Sequence, residues 1–247
     1  MTNGKRAALI TGSGRNIGRG CAKALASAGI NIVLNGSSNR ADCESVAEEV
    51  RALGAEAAIA MGDIGDQDAV AGIVQEARAA FGHIDIVINN AAIRPGVDFL
   101  NITDADMDRV MNVDCYAAVW LARAFLPGMV EHNWGRIIGF AGTNSLQGTA
   151  GRTHVAMAKH AAWGLMKSLS REFGPKGVTA NMISPGTFPD QDEDAANNER
   201  YQNLRKSIPV NRLGVPDDIG NLVRLLCTDE GSFINGQLLM VNGGVVG

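Results

Sequence analysis

Short apolar runs of four to six residues return along the whole of this 247-residue chain, at Ala7–Thr11, Asn31–Asn35, Ala57–Met61, Ile84–Asn89, Arg136–Phe140, Thr179–Ile183 and Leu238–Val241. Most are apolar at successive positions rather than at alternate ones, so neither face of such a strand can meet water. Between them lie alanine-rich stretches with apolar residues three and four apart, such as Val155, Ala158, Ala162, Leu165, Met166 and Leu169, which is the spacing of one helix face. Strands that must be covered on both sides, alternating with helices that can cover them, predict an α/β fold. Its core is a doubly wound parallel sheet of about seven strands with helices on both faces.

The first strand runs straight into TGSGRNIG, Thr11 to Gly18, which opens a helical pattern through Ala22, Leu25 and Ala28. Gly12, Gly14 and Gly18 permit a tight turn and a close backbone approach to a pyrophosphate at the helix N-terminus, with Ser13, Arg15, Asn16 and Ile17 completing the loop. Strand before, helix after and a second strand about twenty residues on predict a Rossmann-like dinucleotide site. The second strand ends Asn35-Gly36-Ser37-Ser38, without the acidic residue that would hold a ribose 2′-hydroxyl. Arg15, Ser37, Ser38 and Arg40 instead suit a 2′-phosphate, so NADP is expected in preference to NAD.

The formal charge of −4 argues against binding nucleic acid. Cys21, Cys43, Cys115 and Cys227 are scattered without CxxC pairs or adjacent histidines, which fits reduced thiols, and no metal site is expected. No apolar run approaches the ~20 residues of a membrane span. No signal-like start precedes the first strand, so a soluble, cytoplasmic protein is expected. One domain, residues 1–247, is the simplest organisation. The polar stretch 188–207, following Pro185-Gly186, breaks the strand–helix rhythm and reads as a substrate lid or a solvated surface helix.

Several segments together resemble the short-chain dehydrogenase/reductase family over nearly the whole chain. They are TGSGRNIG (11–18), GDI (62–64), NNAA (89–92), MNVD with Asn112, GRII (135–138), AKHA (158–161), SPGT (184–187), RLGVPDDI (212–219) and FINGQLLMVNGG (233–244). The wording is similar to 3-oxoacyl-acyl-carrier-protein reductases and 3-hydroxybutyrate dehydrogenases. Asn16 stands where a glycine is usual, and Ala92 replaces the last glycine of its segment. The resemblance implies an oxidoreductase that places Asp63 and Ile64 beside the adenine. It implies Asn90, Ala91 and Ala92 along the ribose and nicotinamide, and Pro185, Gly186 and Thr187 around the nicotinamide amide and phosphates.

The same resemblance implies a catalytic Ser, Tyr and Lys with an Asn on a neighbouring helix, and here the pattern breaks. Lys159 and Asn112 match, but the tyrosine position, four residues before the lysine, is Val155, and the serine position is Gly142. Tyr116 and Tyr201 are the only tyrosines, and neither begins a YxxxK. His154 titrates in a useful range, although one step along a helix turns its side chain about 100° from the Val155 direction. Thr143, Ser145 and His160 are further polar neighbours, and Tyr201 could reach in from the lid. Lys159 retains the family's second role of hydrogen bonding the nicotinamide ribose. Arg94 and Arg152 could clamp a carboxylate or phosphate.

The expected function is an NADP(H)-dependent oxidoreductase with an atypical site, acting on a small, anionic carbonyl, enone or imine. Asn112, Lys159 and His154 are its catalytic candidates, and Arg94, Gly142, Arg152, Val155 and Tyr201 are its substrate-side candidates. A non-redox lyase or isomerase, or a non-catalytic cofactor-binding partner subunit, remain as alternatives. The family resemblance also implies a homotetramer or homodimer, through helices bearing Tyr116, Trp120, Leu121, Ala124 and Phe125, and Ala161, Ala162, Trp163, Gly164, Met166, Leu169 and Phe173.

Overall fold

A computed structural model describes residues 5–190 and 194–245. Seven strands form one sheet: β1 (Ala7–Ile10), β2 (Asn31–Leu34), β3 (Ala57–Ile59), β4 (Ile86–Asn89), β5 (Gly135–Phe140), β6 (Val178–Pro185) and β7 (Leu238–Val241). Their order is β3-β2-β1-β4-β5-β6-β7, every pairing is parallel, and in-register partners include Leu9 with Val33 and Leu9 with Val87.

Successive residues of a strand point to opposite faces, and both faces are apolar because both are covered. On one side Ala7 and Leu9 join α3 (Gln67–Phe81), α5 (Ala117–Glu131) and α7 (Thr153–Phe173) in one core. On the other, Ala8 and Ile10 pack with α1 (Asn16–Ser27), α2 (Arg40–Ala52) and α9 (Pro216–Leu226). The expected strands are all present. The fourth is shorter at its start, running from Ile86 with Ile84 and Asp85 in the connection from α3, although the Asp85 backbone already bonds to Ala7 and Arg136.

A continuous helical run spans 104–131: α4 (Asp104–Met111), a π-helical turn (Asn112–Tyr116) and α5. By length and composition this run could cross a membrane, contrary to the sequence expectation, but more than half of its apolar window is buried. Leu121, Phe125 and Met129 are part of the core. The 188–207 stretch resolves into a bend and a short helix, α8 (Glu199–Ser207), with residues 191–193 of the expected lid outside the described residues.

The phosphate-side helix α1 is held from outside by α9, and the two approach through glycines. A Cβ on Gly20 would lie 2.7 Å from the Pro216 carbonyl oxygen, and one on Gly220 would lie 2.7 Å from the Gly20 carbonyl oxygen. Backbone cannot yield as a flexible side chain can, so the pair fixes how closely α1 is pressed to the sheet. Gly20→Ala is expected to destabilise the protein by roughly 1–3 kcal/mol through overpacking. Gly72→Ala, in the middle of α3 with open space around it, is expected to stabilise by up to about 1 kcal/mol. Urea unfolding of both variants checks this contrast, and equal effects would show that the helix crossing does not depend on glycine.

Candidate active site

Ligand crevices in doubly wound sheets open where neighbouring strands send their connections in opposite directions. Here β1 leads to α1 on one face and β4 leads toward α4 and α5 on the other, and the two departures are tied by side chains. Thr11 Oγ1 accepts the Asn90 and Ala91 backbone N–H groups, both at 3.0 Å, and donates to the Ile88 carbonyl at 3.4 Å. Asn90 Nδ2 donates to the Thr11 and Gly12 carbonyls at 2.9 Å each. Ser13 is buried behind the loop, where its hydroxyl accepts from the Asn35 N–H at 3.0 Å and so joins β1 to β2.

The turn itself is shaped for a close backbone approach. Gly12 has φ +60°, and a Cβ on Gly18 would overlap the Gly12 carbonyl oxygen. Asn16, where the family has glycine, has φ +45°. Asparagine is among the few side-chain-bearing residues that tolerate the left-handed region, so the departure keeps the backbone. Its Nδ2 adds a contact that glycine lacks, donating to the Pro189 carbonyl at 3.1 Å and so joining the turn to the 188–190 segment.

A cleft of about 820 Å³ lies above this turn. Gly12, Gly14, Arg15, Asn16, Ile17 and Gly18 line it, with Ser37 and Ser38 at the end of β2. Asn90, Ala91 and Ala92 follow β4, and Pro185, Gly186 and Thr187 follow β6. Asp42, which sequence reasoning passed over, is on the same wall and packs against Gly14. Arg40, Asp63 and Ile64 are not among the lining residues. Ile64 is in the core, while the Asp63 carboxylate meets Arg109 at 2.8 Å. Partial burial raises the Asp63 carboxyl, but the Gly65 N–H and Arg109 outweigh this and hold it below its usual range.

Four of the five substrate-side candidates share that cleft. Arg94, Gly142, Arg152 and Tyr201 line it together with Thr143, Ser145 and Arg200. The loops bearing Arg94 and Arg152 are joined by the Val97 N–H donating to the Gly151 carbonyl at 2.8 Å. Tyr201 is buried on α8, with the Arg200 guanidinium 5.8 Å from its ring centre. Val155 lies apart, 1% exposed in a core against which Leu146 packs.

The catalytic candidates are placed differently. Asn112 begins the π turn and does not line the cleft. His154 is fully buried, lies outside the cleft lining, and among the described residues has no hydrogen-bond partner on either ring nitrogen. Lys159 is turned inward, with Nζ 3.6 Å from Asp114 Oδ2 and both residues buried. Asp114 Oδ1 accepts the Ile93 N–H at 3.0 Å, which fastens the NNAA loop to the same pair. Burial pushes the Asp114 carboxyl up and the Lys159 ammonium down from their usual ranges, each opposed by the other's charge. Asp114 follows Asn112 by two residues in a segment the sequence had flagged. Only the widened π turn shows that its side chain points inward.

The family model described as enoyl-(acyl carrier protein) reductase matches residues 12–246. Nodulation protein G of Azospirillum brasilense is 32% identical over 241 residues, 98% of each chain. Acetoacetyl-CoA reductase of Cupriavidus necator is 30% identical over 241 residues, also 98% of each. The 3-oxoacyl-acyl-carrier-protein reductase FabG of Staphylococcus aureus is 30% identical over 240 residues, 97% of this chain and 98% of its own.

Removing one partner of a buried ion pair leaves an uncompensated charge. Asp114→Ala and Lys159→Met are therefore each expected to cost roughly 3 kcal/mol, less to the extent that the remaining group neutralises itself by losing or gaining a proton. The double variant should be more stable than the sum of the singles implies, as a thermal-melt double-mutant cycle will measure. Strict additivity would mean that the two side chains do not form a pair.

Proposed function

The chain belongs to the short-chain dehydrogenase/reductase family of oxidoreductases, and on that premise we propose an NADP(H)-dependent oxidoreductase with an atypical active site, acting on a small anionic enone, imine or carbonyl. One observation carries the reading: a complete phosphate turn and three arginines, Arg94, Arg152 and Arg200, line the same cleft, whereas neither Gly142 nor Val155 offers a proton.

The residues fit the cofactor, because the backbone of the turn leaves room that a Cβ at Gly12 or Gly18 would fill. The N–H groups that open α1 suit the pyrophosphate. Arg15, which is exposed on the cleft, and the Ser37 and Ser38 hydroxyls suit a ribose 2′-phosphate. Asn90, Ala91 and Ala92, with Pro185, Gly186 and Thr187, line the opposite end. When bound, the nicotinamide supplies the hydride chemistry.

The chain's own residues bind and orient. Arg94 and Arg152 suit a carboxylate or phosphate on the substrate. Thr143 holds the cleft floor by donating to the Pro185 carbonyl at 3.2 Å. General acid–base catalysis contributes roughly 10²–10⁴ in rate, so a site without the serine and tyrosine favours acceptors whose reduction needs no enzymatic proton at oxygen. The relatives named for 3-oxoacyl and acetoacetyl thioesters act on ketones, and this chain's chemistry parts from theirs at positions 142 and 155. The inward-turned Lys159 also favours a second reading, a cofactor-binding subunit without turnover.

We propose a homo-oligomer as well. Of the helix residues flagged for assembly, Leu121, Phe125, Ala162, Met166 and Leu169 are consumed by the protein's own core. Tyr116 and Ala161 remain exposed and available to a second copy, as does Met157 on the same helix as Ala161, which sequence reasoning passed over.

Calorimetric titration is expected to show tighter binding of NADPH than of NADH, with Arg15→Ala removing most of the difference, about tenfold. Tighter NADH binding would transfer the ribose contact to Asp42 and overturn the NADP assignment. In a screen of anionic enones, imines and ketones, Arg94→Ala and Arg152→Ala should each raise KM about tenfold with little change in kcat. If NADPH binds and no acceptor is reduced, the non-catalytic reading replaces the enzyme.

A further inference from the structure

Parallel pairing brings together not only the carboxyl ends of β4 and β5 but also their entry ends, and the residues there have not been used by the cleft. His83 and Asp85 lie immediately before β4, and His132 lies between α5 and β5. Their chain separation hides the grouping, but neighbouring strands stand only about 4.8 Å apart. One side-chain donor atom from each of the three residues lies within 4.8 Å of the other two. We propose that His83, Asp85 and His132 form a binding site for a borderline divalent transition ion such as Zn²⁺, at the end of the sheet opposite the cleft.

Two imidazoles and one carboxylate are a donor set that suits Zn²⁺ and not Mg²⁺ or Ca²⁺, which prefer oxygen alone. Donors about 2.0–2.1 Å from a tetrahedral ion stand about 3.4 Å from one another. His83 Nε2 and Asp85 Oδ1 are already 3.4 Å apart. The two imidazole rings meet edge to face with centroids 4.7 Å apart. His132 is exposed at the end of its helix, so a side-chain rotation closes the remaining gap.

The carboxylate is oriented in advance. Asp85 is buried, its Oδ2 accepts the Ala7 N–H at 2.9 Å, and its backbone N–H donates to the Ala7 carbonyl at 2.9 Å. Such hydrogen bonding of a ligand's second oxygen is the usual support for a metal carboxylate. No lysine or arginine pairs with Asp85 among the described residues. The side chain of His83 is 32% exposed, leaving an entry path and room for water to complete the coordination. The four cysteines are buried individually and do not compete. An ion here would fasten the connection between α3 and β4 to the end of α5, so its effect falls on stability and leaves the cleft unchanged.

The full chain, free of any purification tag, is to be titrated with ZnCl₂ by calorimetry and melted with and without the ion. One equivalent is expected to bind and to raise the melting temperature, as any ligand of the native state does. His83→Ala, Asp85→Asn and His132→Ala should each weaken binding tenfold or more. The asparagine oxygen can still accept from Ala7, so a loss of binding there with an unchanged metal-free melt separates ligation from folding. Co²⁺ should give weak visible bands without thiolate charge transfer, and NADPH affinity should not respond to Zn²⁺. Absence of saturable Zn²⁺ binding, wild-type binding in the histidine variants, or a thiolate band would each overturn the site.

Discussion

The crevice exists because two strands that lie side by side in the sheet must part company at their carboxyl ends, and that parting exposes backbone groups that β1 and β4 would otherwise pair. Thr11 and Asn90 take up those groups: one hydroxyl serves two N–H donors and one carbonyl, and one amide serves two carbonyls. Buried backbone left unpaired would cost about 1–3 kcal/mol per group. The turn above can then be devoted to a ligand, with Gly12 and Gly18 leaving space and Asn16 supplying the positive φ that glycine would normally provide. The seating of α1 by Gly20 and Gly220 serves the same end from outside.

In the proposed reading, the positions that handle protons in this family are Gly142 and Val155, neither of which carries a proton donor. Gly142 lines the cleft with no side chain, and Val155 has become core. The lysine has not been lost, but Asp114 holds it inward and, through Ile93, holds the loop after β4 as well. Lys159, which the family resemblance reads as a catalytic position, is here half of a buried ion pair. Arginines from three separate segments, at 94, 152 and 200, line the cleft, with Asp42 and Asp190 among the other lining residues.

Much of this was legible in the chain itself. Continuous apolar runs separated by helical patterns identified the seven strands within a residue or two, since burial on both faces leaves no alternation to misread. The glycine turn announced the nucleotide end because its requirement is local. Arg94 and Arg152 both line the cleft. The fates of His154, Lys159 and Asp63 were not legible, because each depends on what stands opposite across the fold. His154 and Lys159 share α7, yet one is buried outside the cleft, its nitrogens unpartnered among the described residues, and the other meets a carboxylate from the π turn. The segment 104–131 forms one helical run through a π-helical turn.

What the sequence by itself determined is therefore whatever is decided by a few consecutive residues: strand or helix, the left-handed turn, the absence of a tyrosine four residues before Lys159 and of a serine at position 142. What only the tertiary structure decided is every relation between distant segments: the Asp114–Lys159 pair, the three arginines lining one cleft, and the meeting of His83 and Asp85 with His132. The physical reason is the parallel sheet. It sets strands that are far apart in the chain about 4.8 Å from one another, and so makes neighbours of residues whose sequence spacing carries no sign of it.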